Sequence, residues 1–186
     1  MLVAMADAML AKGFVGTTVA DVIKGAGVSR ETFYRQFDSK LDCFMAAFEL
    51  AVDALFANLD EVGPLVGDSG GDSFGDSSDA RIAGFDAVLA TYLATLAADP
   101  GLSRLFLVEV YAAGPEAIER RARAQHRIAE RLAELLDLQS PADRFACDAV
   151  VAAVATLVTA PLVRGDTEAL LALREPIVAL VARLLP

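Results

Sequence analysis

The side chains suited to recognition chemistry are concentrated in residues 17–40: Thr17, Thr18, Ser29, Arg30, Thr32, Tyr34 and Lys40, with Lys24 and Arg35 among them. Hydroxyls and cations at this density suit hydrogen bonding to an anionic partner better than bond making. Arginine can grip guanine through paired hydrogen bonds, threonine can meet a thymine methyl, and hydroxyl or ammonium groups suit phosphate oxygens. The spacing says how they would be held. Thr18 and Asp21 stand at capping-box distance and open a short helix. Gly27 supplies the positive φ that ends it, and Ser29 caps the next. That second helix is expected to extend to Phe37, burying Phe33 and Phe37 on one face at i, i+4. Arg30, Thr32, Tyr34 and Arg35 then lie on or near the outward side. A helix-turn-helix presents its second helix in this way, with donors near its N-terminus facing a major groove.

The same stretch resembles the DNA-binding segment of the tetracycline-repressor (TetR) family. The matching residues are Thr17-Thr18-Val19, Asp21, Ala26-Gly27-Val28-Ser29, Thr32-Phe33-Tyr34, Phe37 and Ser39-Lys40, with Lys12-Gly13-Phe14 upstream. The resemblance is specific over roughly the first fifty residues and one of layout beyond them. Ile23, Glu31 and Gln36 depart from residues common in the family (Ala, Gly and His), and bear on base preference. Tyr34 and Lys40 are phosphate contacts by this resemblance, and Thr17 and Thr18 add contacts at the start of the preceding helix. Family members often carry a basic arm before the first helix, whereas this sequence begins at that helix.

Composition sets the frame. The chain has 186 residues, 55% of them hydrophobic, which allows a sizeable core. Ala and Leu outnumber Val and Ile, and Trp is absent, so an all-α fold is expected. No uncharged apolar run reaches the ~18 to 20 residues that cross a bilayer, and the N-terminus lacks a basic leader. A cytoplasmic location and no membrane partner are the expectations. Cys43 and Cys147 are read as buried free thiols, without metal-ligand spacing. The net charge of −10 opposes nucleic-acid binding only in the aggregate. Residues 1–48 hold five basic and five acidic side chains, and the acidic surplus lies wholly in residues 49–186. Screening over ~8 to 10 Å makes the local cluster of Lys24, Arg30, Arg35 and Lys40 matter more than the distant acids.

The resemblance implies a three-helix DNA-binding domain over 1–46 and a helical effector-binding and dimerisation domain over 47–186. A first helix spans 2–12, ending at Lys12-Gly13. Ser39, with Asp42, caps a longer helix reaching about Val62. The Gly/Ser/Asp-rich stretch 63–79 is expected to be a flexible loop, and lacks the lysine a phosphate-cradling loop requires. Helices follow over 80–98, 102–112, 115–136, 141–163 and 167–185, with Pro161 and Pro176 kinking or splitting the last two.

Phe85, Leu89, Tyr92, Phe106, Glu109, Val110, Tyr111 and His126 recur on the middle helices. The family encloses an apolar effector pocket there, and the resemblance implies that role, while a filled core is the plainer reading of the residues. His126 has no nucleophile or orienting partner in a recognisable motif, so no catalytic residue, metal or cofactor is expected. Charges over 115–134 alternate in sign at i, i+3 and i, i+4, marking a salt-bridged exposed face. Helices 141–163 and 167–185 are apolar on more than one side and need cover, most economically from a second subunit. The expected protein is a homodimeric regulator, most simply a repressor, bound to a near-palindromic duplex operator and released by a small apolar effector. The alternative is a dimeric ligand-binding or protein-interaction module that has lost DNA binding.

Overall fold

A computed structural model describes residues 1–60 and 78–184, and every regular element among these is helical. The chain forms two compact units, Met1–Ala54 with Asp99–Ala124, and Leu55–Ala98 with Gln125–Pro186. The boundary expected at 46/47 falls inside the helix Lys40–Asp60, and residues 99–124 join the first unit.

The first unit opens with α1 (Leu2–Gly16), whose helical path breaks at Gly13 (φ 68°, ψ 173°). A residue with a Cβ would be strained there. α2 (Val19–Ala26) follows, then α3 (Arg30–Tyr34) and α4 (Lys40–Asp60). Met5, Met9, Phe14, Val22, Phe33 and Phe44 are buried and form its core. Gly25 lets α2 approach α1, since a Cβ there would stand 3.3 Å from that of Ala4. α6 (Pro100–Leu107) packs on α1 and brings Phe106 into a stacked contact with Phe44 and an edge-on contact with Phe48.

The second unit contains α5 (Ser78–Ala98), α8 (Pro141–Leu157), α9 (Thr159–Arg164), α10 (Thr167–Leu171) and α11 (Arg174–Leu184). α7 (Pro115–Leu135) begins in the first unit and ends in the second. Ser140 and Asp143 form a reciprocal capping box at the start of α8. α10 and α11 pack on α5, where Arg174 holds Asp86 through two hydrogen bonds of 2.6 and 2.7 Å.

Several expectations shift. The expected loop over 63–79 lies outside the described residues except for Ser78 and Asp79, which begin α5. Leu185 and the helix end near Val62 also lie outside them. The helix expected over 102–112 begins earlier and divides into α6 and a 3-10 turn, Glu109–Ala113. Val108 leaves ideal helical geometry at φ −114°, and Gly114 closes the turn at φ 98°. Pro161 and Pro176 each lie near the start of a new helix, α9 and α11, because the ring removes an interior amide donor. Cys43 and Cys147 are buried free thiols, which burial pushes up to about 11.

By length and composition alone, α5 and residues 141–164 are apolar enough to cross a membrane. Only 39% of the apolar window in 141–164 is buried within one chain. Its exposed side carries Phe145, Ala149, Ala152, Thr156, Ala160 and Val163, a single stripe at helical spacing.

Candidate nucleic-acid interface

The interface is assembled from the two short helices of the first unit. Thr18 caps α2: its hydroxyl accepts from the Asp21 amide at 3.2 Å, and its own amide donates to the Asp21 carboxylate at 2.9 Å. Lys12 lies 2.6 Å from that carboxylate. Together with the Thr18 hydroxyl and amide, its ammonium holds Asp21 well below the usual carboxylate range. Gly27 takes the left-handed conformation (φ 65°) and ends α2. Ser29 then caps α3, its hydroxyl accepting from the Thr32 amide at 3.0 Å and lying 2.9 Å from the Thr32 hydroxyl.

α3 is shorter than expected. Its α-helical residues stop at Tyr34, and the chain continues through a tighter turn in which the Phe37 amide still donates to the Phe33 carbonyl at 2.9 Å. Phe33 is fully buried and lies against Phe37, ring centroids 5.6 Å apart, so the aromatic anchor survives the shortening. Tyr34 meets Phe33 edge-on at 5.3 Å and is 45% exposed. The Arg30 guanidinium lies 5.4 Å from the centre of the Tyr34 ring, which steadies an otherwise exposed cation. Arg30, Tyr34, Thr18 and Ser29 are therefore all exposed, and Thr32 is part-exposed.

Two expected contacts face elsewhere. Thr17 is 1% exposed and donates its hydroxyl to the Gly13 carbonyl at 2.8 Å, bridging the break in α1. Its side chain is therefore a joint within the fold. Lys40 donates to the carbonyls of Phe14 at 2.7 Å and Thr17 at 2.9 Å, and its ammonium lies 4.1 Å from the centre of the Phe14 ring. Burial lowers its pKa. Lys24 and Arg35, which belong to the basic cluster without an assigned contact, are both exposed. Their accessibility beside the capped helices was readable only once the faces were fixed.

The residues expected at an effector site fall in both units. Phe106, Glu109, Val110 and Tyr111 belong to the first; Phe85, Leu89, Tyr92 and His126 belong to the second. Phe106 is stacked within the aromatic core, and the Glu109 carboxylate stands against Gly13. Val110, Phe85 and Leu89 are buried, while Tyr111 is exposed with Arg121 over its ring at 5.0 Å. Arg121, expected on the exposed face of α7, is buried. His126 is exposed, its Nδ1 2.9 Å from Asp148 and its Nε2 3.6 Å from Glu130, and these carboxylates raise its pKa. Elsewhere, a groove of about 640 Å³ in the second unit is lined by Asp86 and by α11 residues including Val178, Ala179 and Ala182.

The comparisons with known proteins agree with this geometry. Residues 2–47 match the family of bacterial regulatory proteins, tetR family. Among curated proteins, none matches. Three solved structures share the fold over nearly the whole chain. The fatty acid degradation regulator FadR from Bacillus halodurans is 19% identical, with 97% of this chain and 95% of that chain covered and a TM-score of 0.73. FadR from Bacillus subtilis, solved in complex with stearoyl-CoA, is 15% identical over the same shares, with a TM-score of 0.67. A TetR transcriptional regulator from Rhodococcus sp. RHA1 is 19% identical, covering 96% and 90%, with a TM-score of 0.63. The capped helix-turn-helix thus lies inside the residues that match the tetR family of bacterial regulatory proteins, and the chain as a whole shares the fold of these three regulators.

Proposed function

We propose that the chain is a homodimeric transcriptional repressor that acts in the cytoplasm and leaves its operator when a small apolar effector binds. The observation that carries the DNA-reading role is the head itself. A capped α3, anchored by buried Phe33, offers Arg30 and Tyr34 to solvent, with Thr18 and Ser29 also exposed and Thr32 part-exposed. Arg30 is assigned to a guanine edge, Thr32 to a thymine methyl or phosphate, and Thr18, Ser29 and Tyr34 to phosphates. Residues 1–46 form the reading domain, and 47–186 the effector and dimerisation domain.

Dimerisation through 141–163 and 167–185 is supported by the apolar stripe on α8, with Phe145 73% exposed, and by exposed Leu180 and Leu184 on α11. A stable interface of ~1,200 to 2,000 Å² would cover such a surface. Two heads related by a two-fold axis would read half-sites about 34 to 36 Å apart. Stearoyl-CoA, the molecule bound to the similar B. subtilis regulator, is the first effector to test. Release requires that the effector bind more tightly to the state that does not fit DNA.

Selection of bound duplexes from a random pool tests this reading. Enrichment of a near-palindrome, reversed by an effector, is the expected result. The competing module without DNA binding is favoured by one feature, the exposed carboxylate of Glu31 on α3, which repels phosphate. A pool that stays random after repeated selection would establish that alternative and overturn the repressor.

A further inference from the structure

Lys40 stands at the first position of α4, where a cation beside a helix N-terminus suits a phosphate contact. Its surroundings point to another task. The break at Gly13 and the capping of α2 leave two carbonyls at the α1–α2 joint short of donors. The amide four residues beyond Phe14 belongs to Thr18 and goes to the Asp21 carboxylate. The amide four residues beyond Thr17 belongs to Asp21 and goes to the hydroxyl and carbonyl of Thr18. These are the two carbonyls that the Lys40 ammonium serves, at 2.7 and 2.9 Å. The Phe14 ring lies close to the same ammonium, and is itself packed against Phe44 of α4, ring centroids 5.6 Å apart. An ammonium has three donors, so two carbonyls and a ring face occupy its directions.

We infer that Lys40 is a positioning residue, which ties the α1–α2 joint to the start of α4 and so fixes the angle at which α2 and α3 meet DNA, instead of contacting a phosphate. The inference rests on the DNA-reading function proposed above. It also makes a statement about the free protein that survives failure of that function. A buried carbonyl whose usual donor is committed elsewhere needs a replacement, and Lys40 is that replacement whether or not DNA is present.

Two measurements test it. In the DNA-free wild-type protein, ¹⁵N NMR of lysine side chains should find Lys40 ammonium protons in slow exchange with water, unlike those of exposed Lys24. Solvent-like exchange at Lys40 overturns the inference, even if no duplex is ever selected. If wild type selects a duplex, its affinity is followed against salt for wild type, Lys40→Met and Lys40→Arg. Loss of a phosphate contact from each of two heads would lower the log–log slope by about 1.8. The expected result for Lys40→Met is affinity reduced about tenfold or more with the wild-type slope. Lys40→Arg keeps the charge but not the compact ammonium, and should not restore affinity. A slope lowered by about 1.8 in Lys40→Met, or wild-type affinity in Lys40→Arg, overturns the assignment.

Discussion

Ala153→Glu places one carboxylate on the exposed side of α8, where Ala149, Ala152, Thr156 and Leu157 bring no charge within a turn. In a single chain the substitution meets water, and an exposed helical position tolerates it within about 0.5 kcal/mol. In the proposed dimer it lies in an apolar seam and appears twice across the two-fold axis. An unpaired charge in a buried interface costs about 3 to 5 kcal/mol, so even one copy at the lower figure weakens association on the order of 100-fold. Sedimentation velocity is the assay, with circular dichroism to show that helix content is unchanged. Wild type should sediment at twice the 19.6 kDa chain mass, and the variant as a single chain. A wild-type monomer, or a variant that remains dimeric at micromolar concentration, would refute the reasoning from the exposed stripe.

Other outcomes follow from the same geometry. Arg30→Ala should relax preference at one base pair by about 1 to 3 kcal/mol, whereas Tyr34→Phe should weaken binding evenly across sequences, both read by anisotropy on a panel of duplexes. Phe33→Ala removes a fully buried anchor and should destabilise the head by about 3 to 5 kcal/mol, seen as an early thermal transition. His126 has a raised pKa in the folded chain, through Asp148 first, so its stabilising contribution is complete below the unfolded value of about 6.5. It is lost as pH rises through the folded value. The gap in melting temperature between wild type and Asp148→Asn should therefore be larger at about pH 6 than at about pH 9. An equal gap at both would remove His126 from the account.

What the sequence made legible was local. The capping boxes of Thr18 with Asp21 and Ser140 with Asp143 join residues three apart, so spacing alone identifies them. Gly27 and Pro161 act on their own backbone, and the chain turns or divides where each stands. The contacts that escaped are tertiary. Lys40 reaches carbonyls more than twenty residues away; Thr17 is a local exception, turning inward to Gly13 four residues back, where α1 breaks. Arg121 is buried beside Tyr111, which an alternating charge pattern could not distinguish from its exposed neighbours. The effector-site residues rest on the family resemblance of the middle helices, and their division between two compact units is not encoded by a helical repeat within one segment.

The most direct measurement is a hydroxyl-radical footprint of wild type on a selected duplex. The account predicts two windows of protected backbone on one face of the DNA, centred about 34 to 36 Å apart and both weakened by Arg30→Ala. A single window, or two windows indifferent to Arg30, would contradict it.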